Sequence, residues 1–317
     1  MSLRIFVTHT DRAAAELWRA ELRTHLPGAT VDLWPCASDT PAASDAPADY
    51  AIGWMPPADF FARNPSLRAF FSAGAGVDYL LRHPGLPPAL PIIRLEDAGM
   101  VRQMAEYCCH EVFRLRGRFG DYERQQAAAR WHELTPRSAG SMRIGIFGLG
   151  VLGSEVARTL QRFGYPVAGF TRRPSGLKDI ENFHGASRWP DFLARCDVLI
   201  LMAPLTADTE KIIDAHALAM LPPGAWLINV ARGGLVNEAD LLAALDSNRL
   251  AGATLDVFAS EPLPAGHRFW RHPNVRVTPH VSAITLVAEG ARQVAGKIDR
   301  LARHLAVSGL VDRQHGY

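Results

Sequence analysis

Gly148-Leu149-Gly150-Val151-Leu152-Gly153 stands between an apolar run, Ile144-Gly145-Ile146-Phe147, and a helical pattern opening at Ser154-Glu155-Val156-Ala157. Few structures satisfy that order. Gly148 allows a tight strand-to-helix turn, Gly150 lets the backbone approach a pyrophosphate with no Cβ in the way, and Gly153 lets helix and strand pack closely. Amides at the helix start then meet the phosphate charge. Three spaced glycines recur by chance; the strand before and the helix after them define a dinucleotide site.

Short β-rich runs alternate with helical stretches along the chain, which predicts α/β architecture with doubly wound parallel sheets. Before the glycines, strands are predicted at Arg4–Val7, Thr30–Leu33, Tyr50–Gly53, Ala69–Ser72 and Ile92–Leu95, with a Pro- and Ser-containing loop over Ser38–Asp49. A helix is predicted from about Met100 to Tyr122. Later strands fall at Val167–Phe170, Val198–Met202, Ala225–Asn229, Ala253–Leu255 and Val275–Val277. The length, 317 residues, exceeds what one core organises, so two domains are expected. The last helix, Leu286–Leu305, follows the final strand without a sheet of its own and should return to the first domain. The expected division is a Rossmann domain over 100–283, inserted in a discontinuous flavodoxin-like substrate domain, 1–99 and 284–317.

A net charge of +2, evenly spread, argues against a nucleic-acid or membrane surface and for a small-molecule partner. Nowhere do about eighteen apolar residues run together, so no membrane span is expected. The four cysteines, Cys36, Cys108, Cys109 and Cys196, form no C-x-x-C pair and read as reduced thiols in a cytoplasm, with no metal site.

In the NAD form of this fold an acidic residue about twenty positions past the glycines holds the ribose hydroxyls. Here the second strand ends at Thr171-Arg172-Arg173, with no carboxylate. A hydroxyl and two guanidiniums suit a 2′-phosphate, so NADP(H) is expected to be preferred, with NAD(H) as the alternative. The plainer reading, two solvated surface arginines, stays open.

Ligands in open α/β sheets bind beyond the carboxyl ends of the strands. Three polar residues stand there: Arg232 after Leu227–Val230, Glu261 after Leu255-Asp256-Val257-Phe258, and His280 after Val275–Pro279. Together they suit reduction of a 2-oxo acid. A guanidinium binds the carboxylate and polarises the neighbouring carbonyl, a histidine supplies the proton, and a carboxylate orients the imidazole. Singly, His280 and Glu261 also read as structural or turn residues. In the first domain, Ala73-Gly74-Ala75-Gly76 follows a strand and should leave amides free for a carboxylate, while Trp54 could cover a small substrate.

The set Gly148-x-Gly150-x-x-Gly153, Val230-Ala231-Arg232-Gly233, Leu255-Asp256-Val257-Phe258-x-x-Glu261-Pro262 and Thr278-Pro279-His280-Val281-Ser282-Ala283 resembles the D-isomer-specific 2-hydroxyacid dehydrogenases. Within that family it is most similar to bacterial glyoxylate/hydroxypyruvate reductases of the A type. Trp54-x-Pro56-Pro57, Gly74-Ala75-Gly76-Val77-Asp78, Arg94-Leu95-Glu96-Asp97 and the ending Asp312-Arg313-x-x-Gly316-Tyr317 extend the match over the chain. The resemblance implies substrate binding by Arg232, acid/base work by His280 and Glu261 as its partner. It implies a substrate pocket formed by Trp54 and Ala73–Gly76 with Arg232 and His280. Cofactor contacts are expected from Gly148, Gly150, Val151, Leu152, Gly153, Thr171, Arg172, Arg173, Pro204, Val230, Ala231, Arg232, Asp256 and His280. A homodimer through the nucleotide domain, using the helix from Met100 and the arm around Trp131, is also implied. Two rival readings stay open: a dehydrogenase of a bulkier acid such as phenylpyruvate, and a non-enzymatic NAD(P)-sensing protein like a corepressor.

Overall fold

A computed structural model describes residues 3–34 and 47–317. Cys36 and most of the predicted Ser38–Asp49 loop lie outside the described residues. The chain divides into two compact units, Met1–Met100 with Thr285–Tyr317, and Val101–Ile284.

In the first unit, β1 (Arg4–His9), α1 (Arg12–His25), β2 (Thr30–Leu33), β3 (Tyr50–Trp54), α2 (Phe60–Arg63), β4 (Ala69–Ser72), α3 (Asp78–Leu81) and β5 (Ile92–Ile93) follow in order. The sheet runs β2-β1-β3-β4-β5, all parallel, the flavodoxin-like order. Strand order reverses at β1, so right-handed crossovers place helices on opposite faces and bury both sides of the central strands. Ala69-Phe70-Phe71-Ser72 is buried throughout, and Phe60 packs edge-on against Trp34, Phe61 and Phe70 at 4.9–5.9 Å between ring centres. Asp11 caps α1, its carboxylate accepting the Ala13 N–H at 2.8 Å. The fifth strand is shorter than predicted because the Arg94 N–H leaves the ladder and donates to Gly309 O, 2.9 Å away.

The second unit holds α4 (Met100–Arg116) from its second residue on and α5 (Phe119–Ala127), then alternates β6 (Ile144–Phe147), α6 (Val151–Arg162), β7 (Val167–Thr171), β8 (Glu181–His184), α7 (Trp189–Ala194), β9 (Val198–Leu201), α8 (Ala215–Met220), β10 (Ala225–Asn229), α9 (Glu238–Asp246), β11 (Leu250–Leu255) and β12 (Val275–Val277). The single helix predicted to Tyr122 is two. Gly117 weakens the helix and Arg118 turns left-handed at φ 57°, a position stabilised by its guanidinium on Asp121, 2.8 Å away. The strand β8 escaped prediction because Glu-Asn-Phe-His has no apolar run; it needs none at a sheet edge.

The seven parallel strands lie in the order β12-β11-β10-β9-β6-β7-β8, the Rossmann arrangement with one added strand. Order reverses between β6 and β9, so their carboxyl ends open a crevice. Ile144–Phe147 and Val198–Leu201 are buried at every position, and the crevice therefore rests on a rigid floor.

The chain closes with α10 (Val287–Ala302), part of the first unit, which packs against α1. A Cβ on Gly290 would lie 2.4 Å from the Trp18 ring, so a side chain there would push the two helices apart. Lys297, 6% exposed, donates to Arg94 O at 3.0 Å and reaches Glu96 at 3.3 Å. No helix among the described residues is long and apolar enough to cross a membrane. Among the same residues, no cluster of three or more His, Cys, Asp or Glu could hold a metal ion.

Candidate active site

The crevice is lined first by the loop after β6. Gly148 takes φ 107°, and a Cβ there would sit 2.6 Å from Ala203 N on the neighbouring strand's exit. A Cβ on Gly153 would fall 2.0 Å from Gly148 O, so only glycine lets α6 start against its strand. Space beside Gly150 is open to 4 Å, and no side chain caps α6. The amides of Val151, Leu152 and Gly153 belong to the first turn, where a helix leaves its N–H groups without internal acceptors. An uncapped helix start behind a clear approach fits a dinucleotide pyrophosphate. Pro204 lies across the reversal point, its carbonyl accepting Thr209 Oγ1 at 2.7 Å.

At the end of β7, Arg172 and Arg173 are exposed, as a 2′-phosphate would need. Thr171 differs from expectation. Its hydroxyl donates to Arg173 O at 2.5 Å, so it braces the loop and is not a waiting phosphate ligand.

Arg232 is placed by a buried residue that carries no signal in the sequence. Asn229, at the end of β10, donates to Arg232 O at 2.9 Å and accepts the Ala231 N–H at 3.2 Å, clamping Val230–Arg232 in a tight turn. Gly233 then lets this loop cross the next: a Cβ there would lie 1.9 Å from the Phe258 carbonyl carbon. That crossing carries Arg232 to the segment bearing Glu261. The Arg232 Nη1 donates to Ala231 O at 2.7 Å.

Glu261 accepts the Phe258 N–H at Oε1, 2.9 Å, and meets His280 Nδ1 at Oε2, 2.7 Å. Nδ1 faces the carboxylate and so carries the proton, which leaves Nε2 as the end of the imidazole available to a ligand. His280 itself is left-handed at φ 56°, unusual for a residue with a Cβ. Its N–H donates to Asp256 O at 2.8 Å, and Asp256 holds the flanking residues. That carboxylate, fully buried, accepts Thr278 Oγ1 at 2.6 Å and the amides of Val281 and Ser282 at 2.9 Å each. Asp256, expected at the cofactor, thus presents no surface to it and instead fixes the His280 loop. Tyr107 of α4 completes the chain: its hydroxyl lies 2.6 Å from Thr278 Oγ1, whose own proton goes to Asp256.

Burial works against ionisation of Glu261, but hydrogen bonds from His280 and Phe258 and the positive charges of His280 and Arg232 outweigh it. The carboxyl is held below its ordinary range. A depressed carboxyl stabilises the fold above its unfolded value, about 4.3, and loses that contribution as pH falls through the folded value. The melting-temperature gap between wild type and Glu261→Gln should therefore be wider at pH 6 than at pH 3. Its ceiling is about 1 kcal/mol, because both side chains are more than a third exposed. An equal gap at both pH values would mean that the ionised carboxylate is not the stabilising form.

In the first unit, taken by itself, Trp54 lies against Tyr79 with ring centres 4.3 Å apart, and its ring would meet a Cβ on Gly74 at 3.0 Å. Of the four amides expected to be free, Ala73 donates to Gly53 O at 2.9 Å and Gly74 to Ser72 Oγ at 3.3 Å. Those of Ala75 and Gly76 show no protein acceptor among the described residues.

A model of the NAD-binding domain of D-isomer-specific 2-hydroxyacid dehydrogenases matches residues 110–282. The chain belongs to that family. It is accordingly an NAD(P)-dependent oxidoreductase. Glyoxylate/hydroxypyruvate reductase A of Klebsiella pneumoniae is 43% identical over 307 residues, 95% of this chain and 96% of that protein. Its Serratia proteamaculans counterpart is 42% identical over 96% of both. Among solved structures, a D-isomer-specific 2-hydroxyacid dehydrogenase of Xanthobacter autotrophicus in complex with NADPH and MES superposes with a TM-score of 0.94. It is 39% identical over 100% of this chain and 99% of its own. The NADPH-dependent glyoxylate/hydroxypyruvate reductase of Sinorhizobium meliloti, in complex with NADP and sulfate, gives 0.93 at 35% identity, covering 99% and 100%.

Proposed function

We propose that this chain reduces small 2-oxo acids, glyoxylate to glycolate and hydroxypyruvate to D-glycerate, with NADP(H) preferred over NAD(H). The observation that carries the reading is the His280–Glu261 pair, 2.7 Å apart, on loops that also bring Arg232's charge to bear on Glu261. All three leave the carboxyl ends of β10, β11 and β12, where this fold binds ligands. The curated relatives bear the same activity in their names, and the Xanthobacter and Sinorhizobium structures hold NADPH and NADP.

The bound nicotinamide supplies the hydride. The guanidinium of Arg232 binds the substrate carboxylate by charge-assisted hydrogen bonds and draws electron density from the adjacent carbonyl. Nε2 of His280 donates the proton that the carbonyl oxygen takes up as it becomes an alcohol. Glu261 favours the imidazolium before transfer and fixes the ring by its bond to Nδ1. From the first unit, Trp54 and the amides of Ala75 and Gly76 are assigned to the substrate. Gly148–Gly153, Arg172, Arg173, Pro204 and Val230–Arg232 are assigned to the dinucleotide.

We also assign a homodimer through the second unit, where α5 buries none of its side chains and Trp131 is fully exposed. The buried free thiols Cys108, Cys109 and Cys196 suit a cytoplasmic setting.

Steady-state assays of glyoxylate, hydroxypyruvate and phenylpyruvate with both dinucleotides test the reading. The expected result is highest kcat/KM for the two small acids with NADPH. Preference for phenylpyruvate would make the chain a dehydrogenase of bulkier acids, and binding of NADPH without turnover of any acid would favour the sensing protein.

A further inference from the structure

We infer that Asn182, on the edge strand β8, is a positioning residue for dinucleotide selectivity: it holds the loop that offers Arg172 and Arg173. The inference rests on the proposed NADP(H) preference and on the assignment of those two arginines. Two exposed guanidiniums on a loop select a 2′-phosphate only if the backbone beneath them is fixed, since each long side chain already loses rotamer freedom on binding.

Asn182 supplies that fixation from across the sheet. Its Oδ1 accepts the Ser175 N–H at 2.9 Å, pinning the loop just beyond Arg173. Its Nδ2 donates to Thr171 Oγ1 at 2.9 Å, and Thr171 passes its own proton to Arg173 O at 2.5 Å. The same Nδ2 lies 3.1 Å from Phe183 O, which ties the amide to its own strand. Both ends of the Arg172–Arg173 segment are therefore bonded to one amide side chain, directly at Ser175 and through a hydroxyl at Thr171. Hydrogen bonds to the Ser175 amide and the Thr171 hydroxyl are more than an edge strand needs, because β7 and β8 already pair from Ala168 to Thr171. The remaining use of the amide is to set where the guanidiniums stand.

The test is the dissociation constant of NADPH and of NADH, read by fluorescence titration, in wild type, Asn182→Leu and an Arg172→Ala/Arg173→Ala double variant. Leucine keeps the branched shape, with the same number of side-chain heavy atoms, and removes both the donor and the acceptor. The Asn182 variant should bind NADPH about tenfold more weakly, the scale of one charge-assisted hydrogen bond, with NADH changed by less than about twofold. Equal weakening toward both dinucleotides, or none toward NADPH, overturns the inference. Should the leucine variant fail to fold, Thr171→Val cuts the other limb of the brace and must lower the NADPH-to-NADH preference; an unchanged ratio there also overturns it. The double variant judges the underlying reading separately. If it leaves the ratio untouched, the two arginines do not hold the phosphate and the assignment of the loop falls, whatever Asn182 does.

Discussion

His280→Ala should lower kcat by about 10²–10⁴-fold while NADPH binds as before, the range over which a positioned acid or base acts. The direction follows from the dyad. Only Nε2 is left to face a substrate once Nδ1 is bonded to Glu261 at 2.7 Å, and alanine offers nothing in its place. The fold should tolerate the change, since the side chain is 40% exposed and the His280 backbone is held by Asp256 O and Thr278 O. Glu261→Gln should lose less, because glutamine can still accept from Nδ1 but no longer offsets the imidazolium charge. Combining the two substitutions should cost little beyond His280→Ala alone, as expected of groups acting as a unit. Comparable turnover in wild type and His280→Ala would remove the acid/base assignment.

How much of this could be read in advance divides along a physical line. Gly148, Gly150 and Gly153 were legible because turn, approach and packing each exclude a Cβ, so chemistry and spacing carry the same information. Arg232, Glu261 and His280 were legible by position after apolar strands. What holds them in place was not. Asn229 looks like any polar residue closing a strand, and only its burial against the Ala231–Arg232 turn reveals the clamp. Tyr107 lies 171 positions before Thr278, and nothing in a helical run announces a hydroxyl that reaches it. Asp256 is obscure for the same reason: an acidic residue at a strand end resembles a ligand until its three donors are found within the protein. Thr171 reads as a phosphate contact because its partner, Arg173 O, is a backbone atom with no signature in the sequence. Local rules point to candidate ligand positions at strand ends, whereas the residues that fix them depend on pairings between distant segments.

Arg232→Ala should reduce kcat/KM for glyoxylate by about 10²-fold or more, on the scale of losing hydrogen bonds to a charged group, roughly 1.5–3 kcal/mol each. The loss should fall chiefly in KM if the guanidinium only binds the carboxylate, and in kcat as well if it also polarises the carbonyl. We expect a contribution to both. Asn229 and the Gly233 crossing fix the Arg232 backbone on two sides, and its charge acts on Glu261, so a guanidinium held there can stabilise charge developing on a bound carbonyl. Arg232→Lys separates the two parts. Lysine restores the charge but not the planar fork, so it should recover part of the binding and little of the orientation. The substitution also changes the dyad: with Arg232 removed, Glu261 loses one of the charges that hold its carboxyl low, so its titration should move toward the ordinary range. A parallel loss for pyruvaldehyde, which keeps the carbonyl but lacks the carboxylate, would show that Arg232 acts without binding an acid. Glyoxylate kinetics unchanged by Arg232→Ala would leave the substrate carboxylate without its assigned partner.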